Sequence, residues 1–196
     1  MPSAKEPYRL EGRTALIAGP ATELSRQIAA KLSTAGAQVL EPAIDLPLSS
    51  DLAAATESAD ILIVMTLAEG DESTAMDDWE TIDRLHRAHV NKPTALMAKA
   101  IPAMCRRRWG RVIFLAGGDE GTSAIAVRSA QSALMQAEAR QLAANGITVN
   151  LILLPSPATP PTAELAESVA AAMLYFAGEE SSFVTGQTLR LSAEPA

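Results

Sequence analysis

TALIAGPATELSRQIAAKLSTAGAQVL, residues 14–40, decides the fold. Thr14 to Ala18 is a short apolar run stopped at Gly19, the pattern of a strand buried on both faces. Leu24, Ile28 and Leu32 then recur at i, i+4 and i+8, which puts one apolar stripe on a helix. Gly36 supplies the residue that lets such a helix end in a left-handed turn. Gln38 to Leu40 is a second short strand. Strand, helix and strand in so few residues form a parallel pair with a crossover helix.

The pattern repeats outward. Asp60 to Met65 (DILIVM), Arg111 to Leu115 (RVIFL), Ile147 to Leu154 (ITVNLILL) and Thr188 to Leu191 read as strands. Pro42 and Pro47 break the chain after the second strand, and Leu52 to Ser58 is a short helix. A long helix starts at Asp77 or Asp78, carries Trp79, Ile82, Leu85, Leu96, Met97, Ile101 and Met104, and kinks at Pro93. Ala124 to Asn145 is an alanine-rich helix ended by Gly146, and Glu164 to Ala177 is the last helix. Alternation of this kind predicts a mainly parallel sheet with helices on both faces, in one domain spanning 1–196. Ligands of such sheets lie at the carboxyl ends of the strands, where strand order reverses.

Composition narrows the function classes. The chain has 196 residues, 48% hydrophobic, with a net charge of −7. A negative surface disfavours nucleic acid and anionic membrane as partners. A single cysteine, Cys105, forms no internal disulfide and fits a reducing compartment. No apolar run is long enough to span a bilayer, and the first residues lack the apolar core of a secretory signal, so the expectation is a cytoplasmic protein.

Six segments, LEGRTALIAG, GAQVL, DILIV, WGRVIFLAG, NGITVNLILLP and VTGQTLRL, occur in the order and mostly at the spacings of the short-chain dehydrogenase/reductase (SDR) family, which the chain resembles over nearly its whole length. The resemblance implies a Rossmann-like, doubly wound α/β fold. Two stretches are short against it. Glu41 to Ala59 has no room for the family's helix, strand and helix, so one edge strand is expected to be missing. Ser156 to Ala163 is too short for the substrate lid, the element that would exclude water.

The family's first loop reads Thr-Gly-x-x-x-Gly-x-Gly; here it reads Ala18, Gly19, Pro20, Ala21, Thr22, Glu23, Leu24, Ser25. Glu23 stands at the glycine that lets backbone approach a pyrophosphate. A carboxylate there would fill the anion site and repel phosphate, and Thr22 can cap the same amides. Ser25 is small and discriminates little. The expectation from this loop is no cofactor, with an NAD(P) held differently, and Glu23 turned outward, as the rival.

The resemblance also implies a Tyr and a Lys four residues apart, a Ser and an Asn as the proton-transfer set. Ala124 falls at the tyrosine, Arg128 at the lysine, and Gly117 (or Ala116) at the serine; Asn91 alone is retained. Val64, Met65, Thr66 and Leu67 replace an Asn-Asn-Ala-Gly motif. Neither tyrosine, Tyr8 or Tyr175, and none of the lysines (Lys5, Lys31, Lys92, Lys99) lies on the helix from Ala124. Alanine has no proton to give. Arg128 reads as a salt-bridged or anion-binding residue, and Asn91 as a local backbone partner at the kink.

Other groupings read as structural. His86 and His89 with Asp83 lack a third metal ligand, so no metal is expected. Arg106, Arg107 and Arg108 complement a helix C-terminus. Cys105 reads as an inert thiol, Asp119 and Glu120 as solvated, and Gly117 with Gly118 as a small loop lining a vestigial pocket. Ala126, Ala130, Ala133 and Ala137 form a small-residue stripe. With the apolar load of the two long helices, it predicts a homo-oligomer, or a hetero-oligomer with an active SDR subunit. The leading expectation is therefore a non-catalytic SDR-like oligomer subunit. An atypical NAD(P)-dependent oxidoreductase and a small-molecule binder are the alternatives.

Overall fold

The structure, a computed structural model, describes residues 8–41, 49–67, 79–117, 122–155 and 162–192, and only the backbone of Thr81 and of residues 122–124. The elements follow in the order β1 (Thr14–Ala18), α1 (Glu23–Thr34), β2 (Gln38–Leu40), α2 (Ser50–Ser58), β3 (Ile61–Leu67), α3 (Trp79–His86), α4 (Lys92–Arg107), β4 (Gly110–Gly117), α5 (Thr122–Leu142), β5 (Ile147–Leu153), α6 (Ala163–Ala177) and β6 (Thr188–Arg190). The strands pair in the order β2-β1-β3-β4-β5-β6, and every pair is parallel. Among the described residues the sheet has six strands and β2 is an edge, as the short Glu41–Ala59 stretch implies. The two prolines, the Asp77 or Asp78 cap and most of the lid stretch lie outside the described residues.

Alternation along each strand feeds two cores. Ala15, Ile17, Ile63, Met65, Ile113, Leu115 and Ile152 pack under α1 and α6. Leu16, Leu62, Val64, Val112, Phe114, Ala116 and Val149 pack under α2, α4 and α5. Leu24, Ile28 and Leu32 are buried on α1, as their spacing requires. The apolar load of α4 and α5 is spent the same way: Leu96, Met97, Met104, Met135 and Leu142 are buried in this chain's own core. Most of that load therefore serves this chain's own core, which narrows that part of the oligomer argument to the side chains left exposed. Large apolar side chains that do stay exposed near these helices are Trp79 (78%) and Ile125 (50%).

The long helix is interrupted before Pro93 and not at it. Arg87–Asn91 forms a π turn, closed by a bond from the Lys92 amide to the Arg87 carbonyl. Pro93 then sits in the first turn of α4, where its missing N–H costs nothing. At the amino edge of the sheet a polar knot ties four elements. The guanidinium carbons of Arg13 and Arg111 lie 3.6 and 4.4 Å from the Trp109 ring centroid. The Trp109 Nε1 donates to Glu179 at 2.8 Å. The buried Arg111 donates to the Gly178 and Gly110 carbonyls and to Ser182 Oγ.

Candidate functional site

The strand order reverses between β1 and β3, so the crevice this topology offers opens at their carboxyl ends. Gly19 follows β1 there. A Cβ on Gly19 would collide with the Cβ of Met65 and lie 3.1 Å from the Met65 carbonyl oxygen. Glycine is therefore fixed at this position by the approach of β3, whatever the loop binds.

The α1 N-terminus points into the same crevice. Thr22 caps it: its Oγ1 accepts from the Ser25 amide at 3.2 Å, and Ser25 Oγ accepts from the Thr22 amide at 2.9 Å. Ser25 thus forms a reciprocal capping box with Thr22. The box occupies the Ser25 amide; those of Glu23 and Leu24 still point out of the helix end. Glu23 does not cover them. Its carboxylate accepts from Arg26 at 2.8 Å and from Gln27 at 3.5 Å, on the exposed outer face. The Arg26 bonds, then Gln27, then the Arg26 charge hold that carboxyl below its ordinary range, against a small opposing effect of burial.

The proton-transfer positions give a different picture. Ala124 and Arg128 both lie on α5, and Arg128 is half-buried. Gly117 ends β4; a Cβ there would lie 3.0 Å from Leu154 Cβ and 3.3 Å from Leu67 Cδ2. Two leucines thus crowd the place of the serine. Asn91 is exposed in the π turn and makes no capping bond to α4. The expected local backbone bond at the kink is not made in that form. The π turn runs straight into α4, with Asn91 itself at helical angles (φ −69, ψ −45), so no free helix end remains to be capped. Tyr8 lies at the amino edge, its amide bonded to Glu180, and Tyr175 stacks on Phe176 in α6.

The remaining groupings separate. His89 is buried and His86 exposed, and Asp83 pairs with Arg87 at 2.7 Å. Among the described residues no three His, Cys, Asp or Glu side chains converge on a metal position. Arg107 binds Asp60 at 3.0 Å, and Arg108 binds the Ala144 carbonyl at 3.1 Å. Cys105 is a half-buried free thiol. Gly118, Asp119 and Glu120 lie outside the described residues.

One residue at this edge escaped the sequence reading. Glu41 is exposed immediately beyond the end of β2, beside β1. An acid about 20 residues past the glycine loop is the usual partner of a dinucleotide's ribose hydroxyls. The sequence places this acid at that spacing, one residue beyond the second strand.

No protein-family model matches the chain, and no curated protein does. Solved structures match over almost all of it. A short chain dehydrogenase/reductase family protein is 25% identical, with a TM-score of 0.78 over 94% of this chain and 97% of the other. A 3-oxoacyl (acyl-carrier-protein) reductase from Agrobacterium tumefaciens with NADP bound is 22% identical, with a TM-score of 0.80 over 96% of each chain. A gluconate 5-dehydrogenase from Burkholderia cenocepacia, in complex with NADP and tartrate, is 18% identical, with a TM-score of 0.79 over 95% and 96%.

The chain has the SDR fold.

That fold is consistent with membership of the SDR family. It also overturns the expectation of no cofactor. Structures of this fold hold NADP, and they match the chain from end to end. The local reason is the side chain on which that expectation stood. Glu23 is turned outward to Arg26, because a pair three residues apart on a helix is closer at hand than the anion site. No helix among the described residues is long and apolar enough to cross a membrane.

Proposed function

We propose that this protein is a nicotinamide-dinucleotide-binding subunit of SDR fold that does not perform the family's tyrosine-dependent hydride transfer. The observation that carries the binding half is the Glu23–Arg26 pair, which leaves the α1 N-terminus open to an anion. Bound there, a pyrophosphate would meet the amides of Glu23 and Leu24, and Glu41 would accept from the ribose hydroxyls. A carboxylate at that place repels a 2′-phosphate, so this chain favours NAD(H) over NADP(H).

The non-catalytic half rests on α5 and β4. Ala124 offers no acid, Arg128 has no phenol to tune, and Leu67 and Leu154 occupy the surroundings of Gly117. The subunit role rests on exposed surface. Ile125, Ala126, Ser129, Ala133 and Ala137 are exposed along one uncharged face of α5, and Trp79 is exposed at the start of α3. A second copy, or the same helix of an active relative, would cover that face. Incubation of the protein with NADH and a panel of aldehydes and ketones tests the catalytic half. No oxidation of NADH is expected; turnover of any of them would make the protein an atypical oxidoreductase instead.

A further inference from the structure

Gln131 is wholly buried in the stripe by which α5 packs on the sheet, between Val127 and Met135. Its Nε2 donates to Thr66 Oγ1 at 3.0 Å, and the Thr66 hydroxyl reaches toward the Leu115 carbonyl at 3.4 Å. Among the described residues the amide oxygen has no hydrogen-bond partner. A buried, unpaired acceptor is destabilising, so packing alone would favour methionine or leucine here. Local rules of this kind are broken mainly where function requires it.

We propose that Gln131 is a positioning residue for the crevice between β1 and β3. This rests on the dinucleotide reading above. Thr66 faces α5, and the preceding Met65 faces the opposite side of the sheet, toward Gly19. The carboxyl end of β3 is therefore held from both faces, by the Gln131 amide on one and by the first loop on the other. Met65 leaves no room for a Cβ on Gly19, so its placement sets how the loop approaches a phosphate. Release of Thr66 frees Met65 to shift, and the loop with it.

The test compares Gln131→Met, Thr66→Val, Thr66→Ser and the Gln131→Met/Thr66→Val double variant with wild type. Three readouts are needed: melting temperature, amide exchange at residues 65–67, and NADH affinity. Gln131→Met is expected to melt no lower than wild type, to exchange faster at 65–67, and to bind NADH about tenfold more weakly, the scale of a small misplacement. Thr66→Val should match it in exchange and affinity. Thr66→Ser, which keeps the hydroxyl, should behave as wild type, and the double variant should be no worse than either single change. Unchanged exchange in Gln131→Met, or in Thr66→Val if the first variant fails to fold, overturns the proposal. Should wild type bind no NADH, the dinucleotide reading falls by itself and the exchange rates still decide whether Gln131 holds β3.

Discussion

Glu23 and Glu41 lie at the same sheet edge, and the proposed function gives them opposite parts, one turned aside and one holding the ribose. Glu23 belongs to the first turn of α1, where Arg26 is one turn away and takes the carboxylate outward. Glu41 follows an edge strand and is exposed. Replacing Glu41 by Arg exchanges a repulsion of 2′-phosphate for an attraction. The NADPH-to-NADH affinity ratio should rise by about 10-fold or more, since each 1.4 kcal/mol is tenfold and a charge reversal exceeds that. Calorimetric titration of both variants reads it. Gly117→Ser tests the crowding at the family's serine position. Leu154 and Leu67 must give way, so this change should lower stability by about 1–3 kcal/mol in urea unfolding. The direction of Glu23 could not be read from the sequence, because its position names both an anion site and a helix ion pair, and only the rotamer separates them.

Strands and helices were legible because their periods are enforced by burial. The stripe of Leu24, Ile28 and Leu32 has one way to face a core, and the unbroken apolar run of β3 suits a strand covered on both faces. The π turn at Arg87–Asn91 was not legible: a proline in a helical pattern predicts a break, and where the ladder slips depends on packing against α5. The knot around Trp109 was also missed, since Arg13, Glu179 and the Trp109–Arg111 pair are distant from one another in sequence. It carries a pH dependence. Burial raises the Glu179 carboxyl, but bonds from Trp109 and Ser182 and the charges of Arg111 and Arg13 outweigh this and leave it below its ordinary range. A depressed folded value means the stabilisation is complete above the ordinary carboxylate range and is lost as pH falls through the folded value. Glu179→Gln should therefore melt below wild type at neutral pH, and the gap should close in acid. A gap that persists unchanged below the carboxylate range would remove Glu179 from this role.

At the scale of the molecule, the sheet edge has a crevice at the carboxyl ends of β1 and β3, while α5 has a small-residue outer face. The resemblance read from six segments already implied the sheet and its short edge; it could not show which long apolar side chains cover the sheet and which remain outside. Among the described residues around α5, the small residues of its outer face, with Ile125 and Trp79, are exposed to a neighbour. Ala133→Glu places a charge in the middle of that face and should convert an oligomer to a monomer of about 20.6 kDa by light scattering. A second exposed apolar site, Phe183 with Leu189, lies near β6. If Phe183→Asp dissociates the assembly and Ala133→Glu does not, the interface is there and the α5 assignment is wrong. The central claim, that an SDR crevice with Glu23 turned aside still holds a dinucleotide, is tested most directly by calorimetric titration of the wild-type protein with NAD+, NADH, NADP+ and NADPH. The account predicts saturable one-to-one binding of NADH, tighter than that of NADPH. Absence of binding by all four nucleotides would contradict it.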